Sequence, residues 1–499
     1  MATAASSKKT VETKVVKDTK KQKIQETESE EFYSGSDDGE EEEEFDSAEE
    51  EFDSELEDDE FSELEGSEVD EEDGDHEKMN MFSDDEEEDG EDAEDGADSD
   101  EYDAELYSDS DAGADEDLDA EDNLNDLENP ENPDETAEED PTTLSPTVLR
   151  DRIHSNLKLL SNWKEASKST TKSRSQVLAD WHADIAAYYS YSLYMVEKLA
   201  SLFGCEEALQ FFEANEQGRP VTLRVNTLKT RKRDLVQALT ARGVTIEALG
   251  TWTPVGLQVF DTPVPIGATP EYLAGHYLLQ AGSSLLPVQA LDPQAGDRVL
   301  DMSAAPGGKS THLAALMRNT GVLFANDASR DRLKSLIANI HRMGVHNTVV
   351  CNYDARKLPS ILGQNSFQRI LLDAPCSGTG VISKDPTVKA SKTDADFTML
   401  THLQKELILA AADMCEAGGF FVYSTCSVTV EENEEVVAYA LSKRKNLRLV
   451  DTGIPFGREG FTSFRGKQFP QSLKLTRRFY PHMHNMDGFF VSKFEKVKQ

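Results

Sequence analysis

A glycine-rich turn directly after an apolar stretch is the first feature of this sequence that could do chemistry. Residues 299–309 read Val-Leu-Asp-Met-Ser-Ala-Ala-Pro-Gly-Gly-Lys, which predicts a strand that ends in Asp301, a tight turn and a helix. Glycines let a ligand approach the backbone closely, and a helix start offers free N–H groups. The spacing matches neither G-x-x-x-x-G-K-[ST] nor G-x-G-x-x-G. We therefore expect a ligand with a cationic or hydroxyl-bearing part rather than a pyrophosphate.

Further acids follow the next three predicted strands. The stretches 322–325, 348–351 and 369–372 read as strands, and they are followed by Asp327, Asp354 and Asp373. In a parallel sheet the ligand lies beyond the carboxyl ends of the strands, where an acid after the second strand commonly binds ribose hydroxyls. Four acids after successive strands therefore predict a nucleoside-type cofactor.

Two cysteines follow the fourth and fifth predicted strands and should reach the same edge. Cys376 lies after Asp373-Ala374-Pro375, and Cys426 lies between Thr425 and Ser427. A thiolate can add to carbon 6 of a pyrimidine so that carbon 5 attacks a methyl sulfonium, which requires a lowered thiol pKa. The spacing leaves open which thiol is the nucleophile. A single cysteine is more often a small buried hydrophobe, which is our interpretation of Cys205, Cys351 and Cys415.

Several motifs, taken in order, resemble the Sun (Fmu) family of S-adenosylmethionine-dependent RNA cytosine-C5 methyltransferases. They are residues 300–310, 373–380, 425–427, 478–482 and 487–490. The similarity spans residues 220–496 and is specific because the motifs occur in a fixed order. The acidic extension before it resembles the nucleolar, Nop2-type branch, which modifies large-subunit ribosomal RNA.

The resemblance implies a role for each of these positions. Asp327 would bind the ribose of S-adenosylmethionine, Asp354 its adenine side, and Asp373 would lie where methyl donor and cytosine meet. Cys426 would be the nucleophile, and Cys376 would assist release of the methylated RNA. No metal is expected. The residues expected to wrap the cofactor are Ser303, Ala304, Ala305, Pro306, Gly307, Gly308 and Lys309.

The order of predicted elements divides the chain into three parts. Residues 285–499 alternate strands with helices, which predicts a Rossmann-like S-adenosylmethionine-dependent methyltransferase fold. Residues 146–284 are expected to form helices and a small α+β RNA-recruiting domain, with one long helix at 176–202. A capping box from Thr429 is expected to open a helix at 431–444. Residues 477–480 and 489–494 are expected to form a closing hairpin.

The charge is divided unevenly along the chain. Residues 1–140 contain 63 acidic and 8 basic residues, whereas the other 359 contain 34 acidic and 42 basic ones. The first part, Lys-rich and then acidic, is predicted to be disordered, either as a contact for basic proteins or as a solubilising tail. The second part suits a polyanionic partner. No apolar run reaches about 18 residues, so no membrane partner is expected.

Together with the resemblance, these features predict a cytosine-C5 methyltransferase acting on large-subunit ribosomal RNA. The protein would bind ribosomal RNA and pre-ribosomal particles and take part in ribosome biogenesis. It would be located in the nucleus and nucleolus. Two alternatives stay open. One is an RNA-binding ribosome-assembly factor whose essential role is not catalytic, and the other is a transfer-RNA methyltransferase of the same family.

Overall fold

Two sheets carry the elements of the site in this computed structural model, which describes residues 140–168 and 170–498. The predicted tail, 1–140, lies outside the described residues except for Asp140. Its disorder and its partners therefore stay predictions, and so does the domain boundary at residue 284.

The strands are β1 (Val221–Val225), β2 (Thr245–Ala248), β3 (Gly256–Asp261), β4 (Tyr277–Leu279), β5 (Arg298–Asp301), β6 (Val322–Asn326), β7 (Thr348–Cys351), β8 (Phe367–Asp373), β9 (Cys415–Thr425), β10 (Leu447–Val450), β11 (Arg458–Glu459), β12 (Ser463–Phe464), β13 (Lys467–Gln468), β14 (Arg477–Phe479) and β15 (Phe489–Lys496). The helices are α1 (Pro146–Ser161), α2 (Trp163–Ala166), α3 (Arg174–Tyr189), α4 (Leu193–Phe203), α5 (Cys205–Asn215), α6 (Lys232–Ala241), α7 (Pro270–Leu273), α8 (Leu286–Leu291), α9 (Gly308–Leu316), α10 (Arg330–Met343), α11 (Leu358–Leu362), α12 (Val388–Ser391), α13 (Asp394–Met414), α14 (Glu434–Lys443) and α15 (Pro481–His484). Short 3₁₀ turns lie at Pro141–Thr143, Ile266–Ala268, Gly282–Leu285, Ala355–Lys357 and Gln471–Leu475.

A parallel sheet forms the centre of the larger fold. Its strand order is β7-β6-β5-β8-β9, and each neighbouring pair runs parallel. Central residues such as Val299, Leu300 and Leu371 are fully buried, because helices cover both faces of such a sheet. The five predicted strands are therefore present in the predicted parallel arrangement, and their carboxyl ends share one edge.

The predicted closing hairpin is also present. Strands β14 and β15 pair antiparallel. Strand β15 also pairs antiparallel with β9, where Phe490 lies opposite Thr425. This pairing brings Gly488 to Gly380, whose carbonyl oxygen accepts a 2.8 Å hydrogen bond from the Gly488 N–H. A Cβ at Gly380 would overlap the Gly488 carbonyl oxygen, so the close approach requires glycine.

A four-stranded sheet, β2-β3-β1-β4, precedes the parallel sheet in the chain.

The prediction of one helix over 176–202 is wrong, because α3 ends at Tyr189 and α4 begins at Leu193. Ser190 adopts a left-handed conformation with φ +61°, and Ser192 then caps α4 by accepting the Met195 N–H. Among the described helices, none is long and apolar enough for a membrane span.

Candidate active site

The glycine turn closes one wall of a cavity of about 360 Å³. Gly307 has φ +102° and stands directly before α9, a conformation that side chains other than glycine rarely adopt. The lining residues among those predicted to wrap the cofactor are Ser303, Ala304, Ala305, Pro306, Gly308 and Lys309, and Asp373 also lines the cavity. Sequence reasoning missed other residues that line the cavity, among them Gln280 and Asn339.

Asp327 and Asp354 are fixed by the protein's own groups. The two carboxylate oxygens of Asp327 accept the backbone N–H groups of Ala305 and Ser329, each at 3.0 Å, so this acid braces the turn. Asp354 forms a 2.7 Å ion pair with Arg356, and the hydrogen bond from Arg356 lowers the pKa of the Asp354 carboxyl. The described residues that line the cavity do not include either carboxylate.

Two other acids belong to the same edge. Asp373 pairs with Lys309 at 2.6 Å and accepts the Ser424 hydroxyl at 2.7 Å. Burial opposes the charge on Lys309, yet the Asp373 carboxylate raises the pKa of the Lys309 ammonium. Asp301 is fully buried, and burial raises the pKa of its carboxyl to about 7. One of its oxygens accepts the Ser310 hydroxyl at 2.7 Å, whereas Oδ1 has no partner among the described residues.

The two predicted thiols meet at this edge. The sulfur atoms of Cys376 and Cys426 are 3.1 Å apart, and both residues are half-buried and free. The hydrogen bond to Cys426, together with burial, raises the pKa of the Cys376 thiol well above its usual value. Of the other cysteines, Cys415 is buried as expected, but Cys205 and Cys351 are only half-buried.

A buried carboxylate that sequence reasoning missed holds the segments after both thiols. Glu432 is fully buried and accepts hydrogen bonds from the Ser377 N–H (2.8 Å), the Ser377 hydroxyl (2.6 Å), the Ser427 hydroxyl (2.5 Å), the Thr429 hydroxyl (3.0 Å) and the Gln404 amide (3.1 Å). The signal in the sequence was the repeated Cys-Ser pair with an acid five residues after the second serine.

The predicted capping box from Thr429 is therefore wrong. Helix α14 begins at Glu434 after Asn433, which makes no side-chain cap. Thr429 instead donates its hydroxyl to Glu432, whose other partners include Ser377 and Gln404 from distant segments. A set of three or more His, Cys, Asp or Glu side chains arranged for a metal does not occur among the described residues.

A parallel sheet with a glycine turn, acids and thiols at its carboxyl edge defines the Rossmann-like class of methyltransferases. The family model described as 16S rRNA methyltransferase RsmB/F matches residues 288–495, and the RsmF/B-like ferredoxin-like domain matches residues 191–266. A crystal structure of a methyltransferase homolog from Pyrococcus horikoshii is 35% identical, with a TM-score of 0.58, and the match covers 63% of this chain and 99% of that one. The chain belongs to the RsmB/F methyltransferase family, which confirms the predicted family and fold.

Three other proteins are also similar to this chain. The 25S rRNA (cytosine-C(5))-methyltransferase nop2 of Schizosaccharomyces pombe is 58% identical over 72% of this chain and 59% of its own length. The 28S rRNA (cytosine-C(5))-methyltransferase of Mus musculus is 57% identical over 66% of this chain and 42% of its own length. The chain thus spans about half the length of these curated relatives. NSun6 of Pyrococcus horikoshii, solved with SFG, is 26% identical over 61% of this chain and 97% of that one, with a TM-score of 0.53.

Proposed function

We propose that this protein transfers a methyl group from S-adenosylmethionine to carbon 5 of a cytosine in large-subunit ribosomal RNA. The observation that carries the proposal is the pair of sulfur atoms, 3.1 Å apart, on the edge where Asp373 and Lys309 line a cavity. The eukaryotic relatives are named as methyltransferases of 25S and 28S rRNA, which supports both the reaction and the substrate class.

The residues of the turn fit the cofactor. S-adenosylmethionine supplies an electrophilic methyl group on a sulfonium, and it also carries a cationic amino group. Asp301 is not one of the residues that line the cavity, but one of its buried oxygens has no partner among the described residues. This oxygen suits a ligand donor because an unmet buried acceptor is costly. Its pKa of about 7 leaves the Asp301 carboxyl able to ionise when a cation approaches. The backbone of 303–309 would surround the rest of the cofactor. The family resemblance assigns Asp327 to the ribose and Asp354 to the adenine side, although other protein groups hold both carboxylates and neither lines the cavity.

The two thiols would have different roles in the reaction with cytosine. The Cys426 thiolate would add to carbon 6, which places electron density on carbon 5 for attack on the methyl group. The Asp373 carboxyl, held by Lys309 and Ser424, would stabilise the added state near N3. A base must then remove the carbon-5 proton before the Cys426 sulfur can leave. Cys376 keeps its proton at neutral pH because its pKa is raised, which suits the thiol that assists product release.

Matched alanine variants test the assignment of the two thiols. With large-subunit rRNA fragments and S-adenosylmethionine, Cys376→Ala should accumulate a covalent protein–RNA adduct that survives denaturing gels. Cys426→Ala should form no adduct and no 5-methylcytosine, whereas the control Cys351→Ala should methylate as the wild type does. An adduct with Cys426→Ala would reverse the two roles.

The substrate and cellular site belong to the same proposal. Pre-ribosomal particles in the nucleus and nucleolus are where new large-subunit rRNA would meet the enzyme, and basic proteins are candidate partners of residues 1–140. Bisulfite sequencing of RNA from cells that lack the protein should show one lost cytosine modification in large-subunit rRNA. An unchanged rRNA pattern with a lost transfer-RNA site would overturn this substrate. Normal ribosome maturation with Cys426→Ala would show that the essential role is not catalytic.

A further inference from the structure

A second cavity, of about 310 Å³, lies beside the first and has no role in the reaction described above. Ala281 lines both cavities. Thr222 and Gln258, from strands β1 and β3, form one side of the second cavity, while Lys384 and Asp487 form another. This cavity therefore lies between the four-stranded sheet and the segments that reach the thiols.

Asp487 gives this cavity an unused hydrogen-bond acceptor. The residue is 4% exposed, and its Oδ2 atom pairs with Lys384 at 2.6 Å and accepts the Ser283 hydroxyl at 3.4 Å. Its Oδ1 atom is buried and has no partner among the described residues. Because buried polar atoms in native proteins are nearly always hydrogen-bonded, Oδ1 suits an N–H group of a ligand.

The cavity also provides a donor and flat apolar walls. Arg219 lines it, and its Nε–H is buried without a partner among the described residues. Its Nη1 donates to the Pro481 carbonyl and the Asn485 side-chain oxygen, and its Nη2 donates to the carbonyls of Ala214 and Gln217. The rings of Trp252 and Phe456 line the cavity with centroids 5.3 Å apart. A flat ligand with both a donor and an acceptor on its edge matches this set, and a nucleobase is such a ligand.

Backbone hydrogen bonds connect this cavity to the proposed nucleophile. The Gly488 N–H, directly after Asp487, donates to Gly380, and the Gly380 N–H donates to the Cys426 carbonyl, each at 2.8 Å. A ligand held by Asp487 would thus lie next to the segment that presents the reactive thiol, as the nucleotide beside the target in a bound strand would.

We propose that this cavity binds the base of the nucleotide that neighbours the target cytosine in single-stranded RNA. The Asp487 Oδ1 atom accepts a hydrogen bond from an N–H of that base, Arg219 donates to its acceptor, and Trp252 contacts its face. This inference rests on the proposed function and adds to it a sequence preference beside the target. Proteins that read single-stranded RNA use this combination of aromatic contact and edge hydrogen bonds.

The test is a comparison of protein variants and RNAs that lack one base. Trp252→Ala should raise the KM for RNA about tenfold at unchanged kcat, since contact of one base with an aromatic ring contributes to that extent. On an RNA with an abasic site at the neighbouring position, wild type and Trp252→Ala should have equal KM values. Trp252→Phe should restore most of the affinity on intact RNA, which also shows that the fold is retained.

Controls separate this inference from the proposed function. Phe260→Ala, an exposed residue on the same strand as Gln258, should behave as the wild type on every RNA. Asp487→Asn should change which neighbouring base is preferred, as measured with the four possible RNAs. A Trp252→Ala defect that persists with abasic sites on both sides of the target would overturn the inference. Loss of all methylation by the wild type would instead contradict the proposed function, whereas the neighbouring-base effect on RNA binding could still be measured.

Discussion

The cofactor turn and the thiol segments lie at the same sheet edge, and each has a buried carboxylate. The two carboxylates differ in how many hydrogen bonds they accept. Asp301, beside the turn, accepts one side-chain hydrogen bond and keeps an oxygen without a partner among the described residues. Glu432, beside the thiols, accepts five hydrogen bonds. Asp301 can therefore still accept a hydrogen bond from a ligand. Glu432 instead uses its hydrogen bonds to hold the segments that carry the two reactive sulfurs.

The largest effect is expected from Glu432→Gln, which puts an amide donor where hydroxyl donors converge. Loss of the buried acceptor should lower the free energy of unfolding by about 3 kcal/mol, as measured by urea titration. Single-turnover methylation should fall by about 100-fold because small displacements of catalytic groups are costly. Affinity for S-adenosylmethionine should stay within about twofold, since the turn is held separately.

Glu435→Gln is the matched control, because Glu435 pairs with the exposed Lys467. Its cost should be below about 1 kcal/mol, as for other surface pairs. Equal stability of the Glu432 and Glu435 variants would contradict the contrast between the two regions.

Asp301→Asn should remove a pH dependence of stability. The folded-state pKa of about 7 lies above the ordinary 3.8, so the folded chain binds the proton more tightly and wild-type stability falls as pH rises from about 4 to 8. Between pH 5 and pH 8 this group should account for a loss of about 2.6 kcal/mol in the free energy of unfolding, which the asparagine variant should lack. Urea titrations at pH 5 and pH 8 measure this loss. If the free energy of unfolding changed equally with pH in both proteins, burial of Asp301 would not be its cause.

Lys309→Met should have a smaller effect on stability, of about 1–2 kcal/mol, because the ion pair with Asp373 is partly exposed. A cycle that adds Asp373→Asn and the double variant should give a coupling energy of about 1 kcal/mol. Calorimetry with S-adenosylmethionine should show weaker binding for both single variants. Strictly additive costs would mean that the two side chains act independently.

The smallest effect is expected from Asp354→Asn, whose wild-type carboxylate pairs with Arg356 at the surface. Arg356 holds the pKa of Asp354 below its ordinary value, so this pair stabilises the fold above about pH 4 and loses its effect as the acid is protonated. At pH 7 the variant should lose less than about 1 kcal/mol. The difference should vanish below about pH 3 in thermal unfolding, and a difference that persists there would have another cause.

The parallel sheet and the meeting of the thiols could be predicted because each depends on local patterns. Apolar runs end in polar residues, and the carboxyl ends of parallel strands necessarily share an edge. The break after α3 could not be predicted, since the Ser192 N–H is bonded to Lys389, far along the chain. The capping box predicted from Thr429 is wrong for the same reason, because Glu432 is bonded to Ser377, which lies 55 residues away in the chain.

The position of β15 in the chain has a consequence for synthesis. Until the ribosome has passed Lys496 and that segment has left the exit tunnel, β9 lacks its antiparallel neighbour and Gly380 lacks Gly488. The second cavity, which Asp487 lines, and the thiol segment would stay incomplete on the nascent chain, since its earlier part emerges first. Under the proposed function, the protein would therefore be inactive towards the RNA of the ribosome that translates it.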